Sequence, residues 1–135
     1  MSCKSAIFAV NTSNVSIADG GTYSPTTVVR RFGKACQLTG NTIFLNSPGY
    51  YDIAVSATLT GLTADTAVTM SVYQDGSVIN GLTASQTIKA ANDVVTLNAS
   101  GIVRVLCSSP QSYISIVISG QAVTGNNLSV DITKQ

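Results

Sequence analysis

Apolar and polar residues alternate with a period of two along much of this chain, which is the repeat of a β-strand that buries one face. In the clearest stretch, polar or small residues separate five apolar ones: Tyr51, Ile53, Val55, Ala57 and Leu59. Similar alternation surrounds Met70, Ile116 and Val130. We therefore predict half-buried strands in these four stretches.

Residues that favour turns separate the alternating stretches and leave room for shorter strands between them. Further strands are predicted at residues 6–10, 27–32, 42–46, 94–97 and 102–107. Turns are predicted at Asp19-Gly20-Gly21, Ser47-Pro48-Gly49, Asp75-Gly76, Asn80-Gly81, Ser100-Gly101, Ser109-Pro110 and Gly125-Asn126-Asn127. The pair Asp75-Gly76, between two alternating segments, is typical of a two-residue β-hairpin.

Helical periodicity is not sustained for three turns anywhere in the sequence. Residues 84–91 suit either one turn of helix or an extended segment, and residues 11–41 are the least periodic, so we expect long loops there. About eight to ten short strands in a chain of this length indicate an all-β sandwich or barrel. We expect residues 1–135 to form a single domain with its own core.

Charged residues make up 10% of the chain, against about 25% in an ordinary soluble domain. The net charge is +1, which argues against a nucleic-acid partner because phosphate contacts require many Lys and Arg. The hydrophobic content of 44% argues against disorder. Apolar runs are too short to cross a bilayer or to form a secretory signal, so we expect neither membrane insertion nor a signal peptide.

The low charge leaves two explanations open. Uncharged Ser, Thr and Asn side chains provide the polar surface, or much of the surface is buried against other copies of the chain. These two explanations predict different oligomeric states, because the second requires self-association.

Candidate chemistry is sparse, since the sequence has no His and its acidic residues are all Asp. Those absences exclude the Ser-His-Asp triad and most zinc sites. We expect no enzymatic activity, no cofactor and no bound metal; a pair of distant Asp carboxylates is the remaining catalytic alternative. Cys3, Cys36 and Cys107 are interpreted as three reduced thiols, with a disulfide between Cys36 and Cys107 as the alternative.

A motif at the centre of the chain resembles a known family. It combines an apolar strand, a Pro-Gly turn and a Tyr-containing strand, carried by Ile43, Leu45, Pro48, Gly49, Tyr51 and Ile53. The motif resembles the signature of the tumour necrosis factor (TNF) and complement globular-head superfamily, where Phe usually stands at the positions of Ile43 and Ile53. Residues 72–76, 95–105 and 128–134 are also similar to this family, although Ser100-Gly101 replaces its Gly-Asp pair.

The resemblance implies a two-sheet antiparallel jelly roll of about ten strands that assembles as a compact homotrimer. Family members act as binding heads, ligands or structural tips rather than enzymes, and bacteriophages and bacteria have stand-alone versions. In this family the strand that contains Tyr51 belongs to an inner sheet, whose outer side meets neighbouring subunits. Phe8, Tyr50, Ala54 and Tyr113 are therefore candidates for a subunit interface, with exposure without a partner as the alternative.

Basic residues cluster at Arg30, Arg31 and Lys34, which are candidates for contact with an anion or an acidic partner. The favoured alternative is a solvated strand end that blocks edge-to-edge pairing.

Calcium is implied for some members of the family. In this chain Asp65, Asp75 and Asp93 are candidate oxygen ligands, but their spacing matches no calcium loop. All three lie beside predicted turns, so turn bonding is the favoured interpretation.

We therefore predict a non-enzymatic trimeric structural or adhesive module in a phage or virus-like particle, as a head, tail-fibre, decoration or receptor-binding protein. Its expected partners are copies of itself and either other virion or cell-surface proteins or a glycan receptor. The expected location is a virion or an extracellular surface after cytoplasmic synthesis. The alternative is a bacterial surface protein, or a soluble ligand- or carbohydrate-binding module of the same fold.

Overall fold

The computed structural model describes residues 5–108 and 111–135, and in these residues the chain forms twelve β-strands. They are β1 (Ala6–Asn11), β2 (Val15–Ile17), β3 (Gly21–Thr22), β4 (Thr27–Phe32), β5 (Cys36–Thr39), β6 (Thr42–Leu45), β7 (Gly49–Gly61), β8 (Thr66–Gln74), β9 (Ser77–Ile88), β10 (Val94–Val105), β11 (Ser112–Ser119) and β12 (Val123–Lys134). The predicted all-β class is confirmed. Across the described ranges, no helix is long and apolar enough to cross a membrane.

The strands form two antiparallel sheets that pack as a sandwich. The first sheet has the order β10-β7-β12-β1-β4, with β2 paired to β12. The second has the order β5-β6-β11-β8-β9, with β3 paired to β11. The chain passes repeatedly from one sheet to the other, as in a jelly roll, so residues distant in sequence meet at each end of the sandwich.

The core lies between the sheets and contains the apolar faces that the alternation predicted. On β7 the inward side chains from Tyr51 to Leu59 are all buried. They face a second buried set on β8 and β11, centred on Met70 and Ile116. Burial of these two faces against each other fixes which side of each strand points outward.

The twelve observed strands exceed the predicted number of about ten, and the expectation of long loops in residues 11–41 is wrong. This part of the chain contains the short strands β2 and β3 as well as β4 and β5. Strands of two or three residues are too short to show an alternating pattern, so periodicity did not predict β2 or β3. Residues 84–88 are extended within β9 rather than helical.

The predicted turns at Ser100-Gly101 and at Gly125 are wrong. Each glycine instead lies inside a long strand, where it leaves room for a side chain packed against it. Ser100-Gly101 lies within β10, where a Cβ on Gly101 would stand 2.9 Å from a methyl carbon of Leu82 in the other sheet. Gly125 lies within β12, where a Cβ would stand 2.5 Å from the ring of Tyr23. A neighbouring side chain occupies the space that a larger residue would need.

A third predicted turn, Asn80-Gly81, is instead an irregularity inside β9. Ser71 pairs with Thr83 and Tyr73 pairs with Val78, so residues 79–82 of β9 lie opposite a single residue of β8. Gly81, within this bulged segment, has a φ of +90°. A bulge uses the same residues as a turn, which explains the error.

The predicted Asp75-Gly76 hairpin is confirmed. Gln74 pairs with Ser77, and the two turn residues have φ values of +53° and +83°. Positive φ at both central positions is the geometry that connects two twisted antiparallel strands most tightly. A turn is also present at Asp19-Gly20, and the chain bends at Ser47-Pro48 before Gly49 begins β7, whereas Ser109-Pro110 lies outside the described residues.

Two buried tyrosines differ in how their hydroxyl groups are satisfied. The Tyr51 hydroxyl donates to the backbone oxygen of Ser47 at 2.7 Å. The Tyr23 hydroxyl is buried and has no hydrogen-bond partner among the residues that the structure describes. Burial raises the pKa of Tyr23 to about 12. The uncompensated hydroxyl of Tyr23 therefore opposes folding, whereas that of Tyr51 supports it.

We expect Tyr23→Phe to leave the free energy of unfolding unchanged or to raise it by up to about 1 kcal/mol, since it removes an unpaired polar group. The matched variant Tyr51→Phe should lower it by about 1 kcal/mol, because a hydrogen bond to Ser47 is lost. Urea denaturation at pH 8 measures both. A larger loss for Tyr23→Phe than for Tyr51→Phe would contradict the assignment.

The raised pKa of Tyr23 also makes the free energy of unfolding depend on pH. Burial raises the pKa of Tyr23 from its ordinary value of 10.0 to about 12, so the tyrosine of the unfolded chain ionises first as the pH rises. The free energy of unfolding is therefore unaffected by Tyr23 below about pH 10 and falls as the pH rises from there towards 12. Between pH 8 and pH 11, Tyr23→Phe should therefore lose less stability than the parent chain does.

Candidate subunit interface

The outward face of the first sheet carries three of the four predicted interface residues. Strand register aligns Arg30, Phe8, Asp131, Ala54 and Ser100 in one row across β4, β1, β12, β7 and β10. A neighbouring row contains Phe32, Ala6, Thr133, Asp52 and Ile102. Residues opposite each other in paired strands point to the same side, so these rows form one continuous surface.

Large apolar side chains stand exposed along this surface. Ile102 is 62% exposed, Tyr50 52% and Phe8 38%. Single exposed apolar residues are common, but these three share one sheet face with Phe32 at its edge. The face therefore offers a set of apolar groups for contact with another protein surface.

Small residues make the centre of the face concave. Two open hollows of about 330 and 450 Å³ adjoin each other and share Ala54, Ser100 and Asp131 among their lining residues. Ile102 borders the first hollow, and Phe8 borders the second. A depression between two bulky apolar side chains suits the insertion of side chains from a neighbouring molecule.

The charged residues on this face include Asp52, Asp131 and Arg104. The Asp52 carboxylate accepts a hydrogen bond from the side-chain amide of Gln135, and Asp131 lies diagonally from it on β12. The Arg104 guanidinium lies 5.7 Å from the ring centroid of Tyr50, in a cation–π contact. Arg104 thereby holds Tyr50 at the border of the apolar surface.

Tyr113 is not part of this surface. It belongs to β11 in the second sheet, where its ring centroid lies 6.4 Å from that of Phe44. Its backbone N–H donates to Asp75, which ties it to the β8–β9 turn. The alternating pattern showed that Tyr113 points outward, but it did not show to which sheet the strand belongs.

The three residues of the basic cluster, Arg30, Arg31 and Lys34, lie on different surfaces of the fold. Arg30 is opposite Phe8 and lies on the outward face, whereas Arg31 is opposite the buried Ile7 and points to the other side of β4. Lys34 lies in the β4–β5 connection and lines a separate hollow. β4 is the edge strand of the first sheet, and all its residues are exposed, which is the placement that the strand-edge interpretation predicts.

The three candidate calcium ligands lie in three different turns. Asp75 accepts hydrogen bonds from the Ser112 hydroxyl at 2.8 Å and the Tyr113 N–H at 3.0 Å, and Asp93 accepts one from the N–H of Ala90. Asp65 has a φ of +58° between β7 and β8. Within residues 5–108 and 111–135, no group of three acidic, Cys or His side chains is close enough to hold a metal ion.

Cys36 and Cys107 are both free thiols, so the structure does not contain the alternative disulfide. Cys36 is fully buried in β5, and Cys107 is exposed. Burial raises the pKa of the Cys36 thiol to about 11, although the positive charges of Lys134 and Arg31 act in the opposite direction. Cys3 lies outside the described residues.

Comparisons with known proteins support the fold. Murine APRIL matches with a TM-score of 0.75 at 12% identity, over 98% of this chain and 99% of that chain. Eiger TNF from S. frugiperda matches with a TM-score of 0.71 at 11% identity, over 97% and 91%. The globular domain of zebrafish complement 1qA protein matches with a TM-score of 0.63 at 8% identity, over 95% and 93%. The chain is therefore a TNF-like jelly roll.

At the level of sequence, no protein-family model and no curated protein matches the chain. The structural likeness confirms the fold that the central motif predicted. At these identities it shows the fold alone.

The two described thiols should differ sharply in reactivity. We expect iodoacetamide at pH 8 to alkylate Cys107 readily and Cys36 at least about 100-fold more slowly, because a buried thiol reacts only after local opening. Peptide mapping by mass spectrometry at timed intervals measures both rates, and the unfolded chain in urea is the control. Equal rates in the folded chain would contradict the burial of Cys36.

Proposed function

We propose that this chain is a non-enzymatic structural or adhesive module that assembles as a homotrimer through the outward face of the first sheet. The observation that carries the proposal is the concave centre of that face, bordered by the exposed Phe8 and Ile102. Burial of such a face against another copy removes apolar surface from water, which is the main driving force of protein association.

The proposal also accounts for the scarcity of charge. A chain with 10% charged residues covers its surface thinly with charge, and the outward face contributes mostly small, hydroxyl or apolar side chains. Asp52 and Asp131 are exceptions, since both line the hollow at the centre of the face. The TNF-like fold supports a trimer in particular, because the family that the central motif resembles assembles in this way.

We place the module on a phage or virus-like particle, as a head, tail-fibre, decoration or receptor-binding component. Intracellular assembly of such particles suits the free thiols Cys36 and Cys107, since the bacterial cytoplasm keeps thiols reduced. A bacterial surface protein of the same fold is the alternative location. Loops at one end of the trimer would contact a receptor, and three linked weak sites bind far more tightly than one.

The absence of catalytic chemistry in the sequence supports a binding role. There is no His, and the neighbouring carboxylates Asp52 and Asp131 lie on an open, solvent-exposed face.

Light scattering coupled to size exclusion tests the trimer. We expect a mass three times that of one chain at micromolar concentration. Phe8→Asp or Ile102→Asp should shift the mass towards that of one chain, because each places a carboxylate in the apolar interface.

Val78→Asp is the matched control, since Val78 is 47% exposed but lies in β9 of the second sheet. This variant should remain trimeric. A mass of one chain for the parent protein would contradict the trimer, and dissociation by Val78→Asp alone would place the interface on the other sheet.

A soluble carbohydrate-binding module is the second candidate function. Tyr50 favours it, because an aromatic ring exposed beside a cation is a suitable platform for stacking a sugar. Under this alternative, Tyr50 serves a glycan rather than a neighbouring subunit.

A glycan array probed with the purified chain separates these functions. A purely structural trimer should show no saturable signal. A carbohydrate-binding module should bind one class of glycan, and Tyr50→Ala should reduce that signal by about tenfold, which corresponds to the loss of one stacking contact. Tyr113→Ala, in the other sheet, is the control and should bind as the parent does.

A further inference from the structure

A hollow of about 520 Å³ opens at one end of the sandwich. Its lining residues come from the segment before β1, the β4–β5 connection, the β6–β7 turn and the end of β12: Ser5, Gly33, Lys34, Ala35, Asn46, Ser47 and Lys134. This volume lies within the range of small-molecule sites. None of the hollow's lining residues belongs to the two rows of the outward face, although Ser5, Gly33 and Lys134 directly adjoin Ala6, Phe32 and Thr133 of the second row.

Main-chain hydrogen bonds hold the walls of the hollow in place. The Lys134 N–H donates to the Ser5 carbonyl at 2.8 Å, and the Asn46 N–H donates to the Ala35 carbonyl at 2.7 Å. The Ala35 N–H donates to the Ser5 hydroxyl oxygen at 3.2 Å. These bonds join four segments that are distant in sequence, so the hollow is a built feature of the fold.

A glycine allows the Lys134 side chain to line the hollow. Gly49 has a φ of +140°, and a Cβ there would stand 3.1 Å from the Cε of Lys134. The aliphatic stem of Lys134 therefore lies over the backbone of the β6–β7 turn. Its methylene groups and the methyl group of Ala35 provide an apolar wall.

The electrostatic character of the hollow is positive. Lys34 and Lys134 both line it, and none of its described lining residues is acidic. The positive charges of Lys134 and Arg31 act on the buried thiol of Cys36, next to Ala35. Both lower its pKa, although burial raises that pKa by more.

Asp52 and Asp75 lie at the same end of the sandwich but outside the lining, and both accept hydrogen bonds there: Asp52 from Gln135, and Asp75 from Ser112 and Tyr113. Asp19, Asp65 and Asp93 lie in turns at the opposite end.

Neutral hydrogen-bonding groups complete the site. Ser5 is 2% exposed and its hydroxyl oxygen already accepts a bond from Ala35, so its hydroxyl hydrogen is available to an acceptor. The Ser47 hydroxyl lies 3.3 Å from the Tyr51 hydroxyl and is the donor in that contact, because Tyr51 donates its own hydrogen to the Ser47 carbonyl. Ser5 is therefore the hydroxyl donor that the hollow offers to an anion. An anionic oxygen placed between the two lysines would meet hydroxyl as well as ammonium donors.

We propose that this hollow binds a small organic carboxylate. The carboxylate group lies between the ammonium groups of Lys34 and Lys134, and the apolar body lies against Ala35 and the lysine stem. The apolar wall distinguishes this ligand from inorganic anions, which gain nothing from it. Its lining residues lie at the end of the sandwich rather than in the two rows of the outward face, so binding of the carboxylate and assembly of the trimer are tested by different measurements.

Isothermal titration of the full chain with phenylacetate at low ionic strength tests the proposal. Phenylacetamide has the same shape without the charge, and inorganic phosphate has charge without the apolar body. We expect saturable binding of phenylacetate, with both comparison compounds at least about tenfold weaker. Increasing the salt concentration should weaken phenylacetate binding.

The double variant Lys34→Gln/Lys134→Gln should weaken phenylacetate binding by at least about tenfold. Lys89→Gln is the matched control at the opposite end of the sandwich and should bind as the parent does. Thermal unfolding of each variant confirms that it is folded.

Each contrary result overturns the proposal. These results are an absence of saturable binding, equal binding of phenylacetamide, equal binding of phosphate, and an unchanged affinity in the double variant. A monomeric parent chain that binds phenylacetate would reject the proposed trimer and leave the carboxylate site intact.

Discussion

The burial of one face of β7 is the constraint on which the rest of the structure depends. This strand pairs with β10 on one side and β12 on the other along nearly its whole length. Its inward residues, from Tyr51 to Leu59, form the centre of the core. A slip of one residue would turn these side chains to water and bring Asp52 into the core, so the register of three strands is fixed together.

The same constraint determines the composition of the outward face. Once Tyr51, Ile53 and Val55 are buried, the intervening Tyr50, Asp52 and Ala54 must point away from the core. Pairing with β12 and β10 then places Asp131 and Ser100 beside Ala54. The shallow centre of the proposed interface is thus a direct consequence of core packing on the other side of the sheet.

Local patterns predicted the long strands β7, β8, β11 and β12, the hairpin at Asp75-Gly76 and the outward side of β7, because these depend on neighbouring residues. They did not predict β2, β3, β5 or the whole of β9. Long-range packing was not predictable. Gly101 faces Leu82 across the sandwich, so its sequence neighbours suggested a turn where a strand continues. The convergence of Lys34 and Lys134 likewise depends on topology, since a hundred residues separate them in the sequence.

The hydrogen bond between the Lys134 N–H and the Ser5 carbonyl places the two ends of the described fold side by side. A short linker would span the distance between Ser5 and Lys134, and such proximity of the ends is the arrangement that permits circular permutation. A second protein fused to either end would therefore be attached at the same end of the sandwich. The turns at the opposite end of the sandwich, which contain Asp19, Asp65 and Asp93, would then remain free of the attachment.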